Sequence, residues 1–525
     1  MKLIVELSLT PQDAVSSLKY KSFISQKEKI AIENISGIRL LKRSIDARHR
    51  HILIHHTFEV FIDEPFIIPK PYDFCYKNVS SKPRVIIAGA GPSGLFAALR
   101  LIELGIKPVI IERGKSVNER KYDIVAINKK RIINPDSNYC FGEGGAGAFS
   151  DGKLYTRSTK RGDVNRILQI IHEHGASQNI LVDSHPHIGT DKLPAIIASI
   201  RTTILDNGGE IHFNQRITDI IIRDGQAKGV KTLDGSIFEG SAVILATGHS
   251  ARDIYNLLHA KNILIEQKSF AIGLRIEHPQ QLIDSIQYHS KIKDPCLPAA
   301  IYSLACQSGE KGVFSFCMCP GGTIVTASTG QEELVLNGMS NSQRNLPFAN
   351  SGIVVAVNEK DLAESPRVLG GMNFGPLAGL KFQEKIEKAA FIAGGSNLSA
   401  PAQRMIDFTE KKLSANLNKT SYHPGIISFP LHEFLPSFIC ECMQEAFKMF
   451  NKKMKGYLTN EATLLGVETR TSSPVRILRN PVSLEHIQIK SLYPCGEGAG
   501  YAGGIVSSAI DGERCAESAV KKCLS

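Results

Sequence analysis

The six residues Gly89-Ala90-Gly91-Pro92-Ser93-Gly94 carry the clearest chemistry in the chain, because Gly-x-Gly-x-x-Gly is the spacing at which backbone can cradle a pyrophosphate. Gly89 permits a tight turn, Gly91 lets the backbone approach the phosphates, and Gly94 allows a helix to pack closely on a strand. A helix starting there turns free N–H groups and its positive dipole end towards the anion. Glu112, eighteen residues beyond Gly94, is placed to accept hydrogen bonds from ribose hydroxyls, and Arg113 joins the same set. An acid at that position disfavours a 2′-phosphate, so NADP is disfavoured while FAD and NAD both stay open.

Cys317-Met318-Cys319 is the next reactive arrangement. Residues two apart on a strand share a face, so both thiols should point to one side, either into packed interior or towards a redox partner. Cys440-Glu441-Cys442 is a poor complement for a metal, and no metal site is expected. Among the sixteen histidines, which include His185, His187 and His278, His249 is best placed for acid–base work because it follows the glycine turn at Gly248. Arg344, Arg404 and Arg476 are candidates to clamp an anionic substrate.

The elements that must position these groups are legible around them. Val85-Ile86-Ile87-Ala88 and Val109-Ile110-Ile111 read as strands buried on both faces, with an amphipathic helix between them ended by Gly105. Asp224-Gly225 and Asp234-Gly235 are hairpin turns in a β-meander that returns to an apolar strand over 242–246. Residues 1–82 read as a small α+β extension whose last part runs into a proline-rich linker from Pro65 to Pro83, with Pro69 and Pro71 between them. The expected division is an N-terminal extension at 1–82, a dinucleotide-binding domain at 83–265, an inserted α+β middle or cap domain at 266–465, and a return to the dinucleotide domain at 466–525. The fold class is α/β.

The segment 492–505, LYPCGEGAGYAGGI, resembles the second FAD signature of two-domain flavoproteins, with Glu497 where the family usually carries Asp. VILATG at 243–248 resembles the strand that passes beside FAD in the same superfamily. On these grounds the chain resembles the glutathione-reductase-like FAD superfamily. Within it, FGEGGAGAFSDGKL at 141–154, ATGHSARD at 246–253, FSFCMCPGG at 314–322, PAQR at 401–404 and TSSPVR at 471–476 resemble the bacterial family of uncharacterised FAD-dependent dehydrogenases. The resemblance implies a Rossmann-type domain holding FAD. It places Gly248, Gly496, Glu497, Gly504 and Ile505 at the cofactor, and lays the loop with Gly144 and Gly145 against the flavin. Arg120 and Asp123 would stand on the pyrophosphate side. The backbone around Gly504 and Ile505 would stabilise negative charge on the reduced ring.

Composition is that of an ordinary globular protein, 42% hydrophobic and 22% charged. The net charge of +11 comes from scattered Lys and Arg rather than a run, so a nucleic-acid footprint is disfavoured. No apolar stretch is long enough to span a bilayer, and eleven cysteines without a secretory signal point to the cytoplasm. Residues 1–84 carry 14 Lys and Arg against 9 Asp and Glu, a balance that suits an acidic protein partner. The leading expectation is an FAD-dependent oxidoreductase acting on an unidentified small molecule. A second nucleotide fingerprint is missing, so NAD(P)H would serve only as a transient electron donor. A flavin redox sensor or electron carrier and a tRNA-modifying flavoprotein are the alternatives.

Overall fold

The apolar runs become neighbouring strands of one parallel sheet, described by a computed structural model that covers residues 1–67, 72–156 and 161–524. The strand order is Leu492–Pro494, Ala242–Leu245, Arg84–Ala88, Lys107–Ile111 and Glu210–His212, with every neighbouring pair parallel. Successive side chains on these strands leave by opposite faces. Val85, Ile87, Ile110 and Ile244 pack under the helices Pro92–Glu103, Leu193–Asp206 and Ile505–Leu524. Ile86, Ala88, Val109, Ile111, Val243 and Leu245 face the helix Arg252–Ala260 and a three-stranded meander, Ile217–Arg223, Gln226–Thr232 and Ile237–Glu239. Both faces are therefore dry, as the unbroken apolar strands require. The hairpin at Asp224 and Gly225 places both residues at positive φ, +52° and +70°, the backbone a two-residue turn needs.

The middle region forms an eight-stranded, mostly antiparallel sheet. Its long strands Phe270–Pro279, Lys311–Thr326 and Phe348–Val357 lie side by side. The helix Ser437–Lys453 buries Ile439, Met443, Phe447 and Phe450 in the same core. The strand Thr463–Glu468 also belongs to this sheet, so the middle sheet ends at Glu468 rather than at 465.

The first residues form a three-stranded sheet, in the order Lys2–Leu9, Leu53–Ile62, Ile35–Asp46, with the helix Tyr20–Glu28 against it. Its buried residues, among them Val5, Phe58 and Val60, belong to the same apolar cluster as the middle sheet. Arg43 ties it to Asp183 at 2.7 Å, and Gln12 donates to Asp294. The described part of the expected linker holds no helix or strand, yet it is not loose: Val79 is fully buried and Tyr72 donates to Asp163 at 2.6 Å. Pro69 and Pro71 lie outside the described residues.

Helix Ile505–Leu524 crosses helix Pro92–Glu103 at a contact only glycine allows, since a Cβ on Gly512 would lie 2.1 Å from the Ser93 carbonyl oxygen. Gly512→Ala should therefore cost on the order of 1–3 kcal/mol through overpacking. Denaturant titration checks this, and an unchanged midpoint would contradict the close crossing.

Candidate functional site

The parallel strands end together, and the turns that leave them border one cavity of about 380 Å³. Gly89, Gly91, Pro92 and Ser93 come from the first turn, Glu112 and Arg113 from the turn after Lys107–Ile111, and Gly248 and His249 from the turn after Ala242–Leu245. Glu497, Gly504 and Ile505 come from the last strand and the helix after it. The loop holding Gly145 and Gly147 forms another wall. Phe316, Cys317, Asn337, Arg470 and Thr471 close the cavity from the middle-domain side.

The glycine turns meet as bare backbone. A Cβ on Gly89 would lie 2.6 Å from the Ala246 carbonyl oxygen, and one on Gly498 would lie 2.5 Å from that of Gly248. Towards the cavity the opposite holds. A Cβ on Gly248, Gly503 or Gly504 would meet no protein atom within 4 Å, and one on Gly91 would meet only Gly145 Cα at 3.9 Å. Helix Pro92–Glu103 has no side-chain cap at its N-terminus, so the N–H groups of its first turn remain for an anion. Open backbone and the uncapped start of helix Pro92–Glu103 together fit a dinucleotide.

Several residues expected at the cofactor hold the cavity wall rather than form it. Ala90, Gly94, Arg120, Gly144 and Gly496 do not border the cavity. Arg120 is fully buried behind the glycine loop and donates to the carbonyls of Asn138, Glu143 and Gly145 at 2.7, 2.5 and 3.0 Å. Burial lowers its guanidinium to about 10. Asp123 pairs with Lys115 at 2.9 Å. Gly94 packs on the Gly89 carbonyl, Gly144 donates to Ala90 at 2.8 Å, and Gly496 donates to Asp511 at 2.8 Å. Glu112 does border the cavity, but it accepts from the backbone N–H groups of Ala90, Gly114 and Gly142 at 2.7, 2.9 and 3.0 Å, bracing the first turn against the glycine loop. Arg113 lies over the Phe141 ring and grips Asp253 with both terminal nitrogens at 3.0 and 2.9 Å.

Of the candidate anion clamps, Arg344 is held by Asp151 at 2.6 Å, Arg476 by Glu266 at 2.9 Å, and Arg404 donates to Asn416; none borders the cavity. Arg470 does, and sequence reasoning passed it over. It sits in a buried network in which Glu387 and Glu333 each bridge Arg470 and Arg252. Burial would raise Glu333, but Arg470 and Arg252 hold its carboxyl well below the usual range. His278 is buried far from this wall, against the Tyr457 carbonyl at 2.9 Å, and His187 contacts the Ser342 carbonyl at 3.2 Å.

Three titratable groups converge on the cavity. Burial pushes Glu497 up to about 7, with Lys268 opposing it and Cys317 adding to it. His249 lies 3.8 Å away and is lowered to about 4, by burial first and then by Arg470 and Arg252. Glu497 therefore exchanges a proton near neutral pH beside a neutral imidazole. Cys317 is held well below the ordinary thiol value, chiefly by its hydrogen bond with Cys319 and then, against burial, by Lys153 and Arg275. Lys153, whose role no sequence pattern announced, reaches the sulfurs from the segment after the glycine loop.

Among the described residues, Cys495, Asp511 and Cys515 form one cluster with metal-ligand chemistry. Arg479 already grips both Asp511 oxygens at 2.9 and 2.7 Å and donates to Cys515 at 3.4 Å, so a cation fills that role. No helix among the described residues is long and apolar enough to cross a membrane.

Residues 269–471 match the family described as FAD-dependent protein, C-terminal domain-like, and residues 1–61 match a domain family of unknown function. The chain belongs to the same family as a Clostridium beijerinckii protein described as uncharacterized, 40% identical over 538 residues and covering 99% of this chain and 98% of that one. A 4,4'-diapophytoene desaturase of Methylomonas is 45% identical over 53 residues, only 10% of either chain. Solved structures that align include an open flavocytochrome c3 fumarate reductase, with TM-score 0.36, 11% identity and coverage of 85% of this chain and 79% of that one. A flavin-dependent brominase aligns with TM-score 0.37, 11% identity and coverage of 84% and 81%. Such loose likenesses assign no activity.

Glu497 gives the site a pH signature. Its folded value of about 7 lies above its ordinary 4.5, so the folded chain binds this proton more tightly than the unfolded one. Below the ordinary value the group contributes nothing. Stability falls as pH rises between the two values, and above about 7 the full cost stays. In flavin-free protein, Glu497→Gln should match wild type at low pH and exceed it at pH 8 by on the order of 2 kcal/mol. Denaturation at both ends of the range measures this, and parallel pH profiles would exclude it.

Proposed function

We propose that the cavity holds one FAD non-covalently on a Rossmann-type domain, and that the protein is an oxidoreductase exchanging a hydride or an electron pair with a small substrate. One observation carries the reading: a single cavity is bordered both by the nucleotide-type glycine turns and by the middle-domain wall of Phe316, Cys317, Asn337, Arg470 and Thr471. The turn at Gly91 and the helix start at Ser93 would hold the pyrophosphate. Gly248, Gly504 and Ile505 would lie along the rest of the cofactor. When bound, FAD supplies the two-electron chemistry.

The chain's own residues supply the remainder. Glu497 holds a proton near neutral pH and can give it to, or take it from, the substrate. His249 stays neutral beside it. Arg470, fixed by Glu387 and Glu333, holds the middle-domain side of the cavity in place. Phe316 adds an apolar face on the middle-domain side of the cavity.

Gly91 offers a clean test, since its φ of −74° suits any residue and a Cβ there meets only Gly145 Cα, at 3.9 Å. Gly91→Val should unfold like wild type while FAD affinity drops by about tenfold or more, ~1.4 kcal/mol. Flavin fluorescence titration reads the affinity. A purified wild-type chain that takes up no flavin, or a Gly91→Val variant that binds FAD as wild type does, would overturn the reading. Anaerobic mixing of the flavin-loaded protein with NADH, NADPH and a metabolite panel then identifies the donor by bleaching of the flavin.

A further inference from the structure

A regular strand would hold Cys317 and Cys319 on one face with their sulfurs well apart. The strand Lys311–Thr326 is not regular there. Its register with Phe348–Val357 shifts between Phe316 and Cys319, and Cys317 takes φ +45°, a conformation that residues with side chains rarely adopt. The distortion turns the two side chains together, Sγ to Sγ 4.0 Å.

Two cations attend the pair. Lys153 Nζ lies 3.7 Å from Cys317 Sγ and 3.6 Å from Cys319 Sγ. Arg275 Nη2 lies 3.6 Å from Cys319 Sγ and donates to the Cys317 carbonyl at 2.7 Å. Both cations are fixed from behind, Lys153 by Asp151 at 3.2 Å and Arg275 by Glu468 at 3.0 Å. The sulfurs differ in access, since Cys317 borders the cavity and Cys319 is wholly buried. A cavity-facing attacking sulfur, a hidden second sulfur within reach and a positive surround are what dithiol exchange needs.

We propose that Cys317 and Cys319 form a redox-active dithiol and that the cavity takes a small disulfide as substrate. The Cys317 thiolate attacks one sulfur of the disulfide, a Cys317–S bond forms, and the S–S bond of the substrate breaks to release one thiolate. That thiolate takes the Cys319 proton. The Cys319 thiolate then attacks Cys317, the protein disulfide closes, and the second substrate half leaves as a thiolate. The substrate is reduced by two electrons and the protein pair is oxidised by two. The pair returns by accepting two electrons and one proton from a reduced flavin, and this last step alone rests on the reading above. A protein disulfide fits less well, because Cys317 lies on the wall of a cavity.

The forward half needs no flavin, which makes it separable. Phosphine-reduced full-length protein, with and without FAD, is exposed to 2-hydroxyethyl disulfide, quenched with iodoacetamide and mapped by mass spectrometry. Wild type should lose two hydrogens and link Cys317 to Cys319, leaving the other nine cysteines alkylated. Cys319→Ser should stop at the mixed disulfide on Cys317, and Cys317→Ser should form neither. Iodoacetamide should alkylate Cys317 at neutral pH about tenfold more slowly in Lys153→Met, with the rate restored in Lys153→Arg. Variants are compared only where their thermal midpoints show a folded chain. A wild-type pair that stays reduced, links formed elsewhere, or a mixed disulfide on Cys319 in Cys317→Ser would overturn the proposal. If exchange succeeds but no flavin binds, the cofactor reading fails alone; if flavin binds but no exchange occurs, the dithiol fails alone.

Discussion

Close approach of bare backbone is the constraint on which this structure depends. The turn after Arg84–Ala88 touches the turn after Ala242–Leu245, and that turn touches the one after Leu492–Pro494, each at a distance no Cβ permits. A side chain at Gly89 or Gly498 would part the strand ends and with them the cavity walls. Other features serve that packing. Glu112 fastens the first turn to the glycine loop, Arg120 binds the loop's carbonyls from behind, and Asp511, itself held by Arg479, fastens Gly496. Charged groups in this region therefore act first on backbone geometry.

The cavity has two unlike sides because it lies between two unlike sheets. The parallel sheet contributes turns and helix ends, which recognise anions through N–H groups. The antiparallel sheet and the chain just after its strand Thr463–Glu468 contribute side chains with titratable or charged heads, Cys317 and Arg470, and the segment that follows the glycine loop adds Lys153. Desolvation acts in both directions on these groups. It raises Glu497 and lowers His249, so between about pH 4 and about pH 7 the two are neutral neighbours rather than an ion pair.

Much of this was legible in the sequence where local rules govern. The strand, glycine turn and helix over 84–103, the meander turns, and the strand and helix near the C-terminus follow from apolar runs and glycine spacing, and thirteen of the singled-out residues share one cavity wall. What could not be read depends on tertiary placement. Arg120 carries the right charge at the right distance along the chain, but nothing local says that its helix turns it behind the loop. Arg470 looks like any other arginine until Glu387 and Glu333 surround it. The Cys317 bulge is set by register against a strand more than thirty residues further on. Alternation alone puts the two thiols on one face but cannot bring their sulfurs within contact.

The parallel sheet is assembled from distant parts of the chain. Its edge strand Leu492–Pro494 pairs with Ala242–Leu245 across the whole of the middle domain. Closing such a loop carries an entropic cost that grows slowly with length, but it must be met before any of the contacts it enables can form. The middle and N-terminal sheets share one apolar core and lie wholly upstream of that last strand. They are thus able to collapse during synthesis while the nucleotide-type half still lacks an edge. The cavity in this way depends on the discontinuity of the sheet: its walls meet only where the strand Leu492–Pro494 has paired with the middle of the sequence.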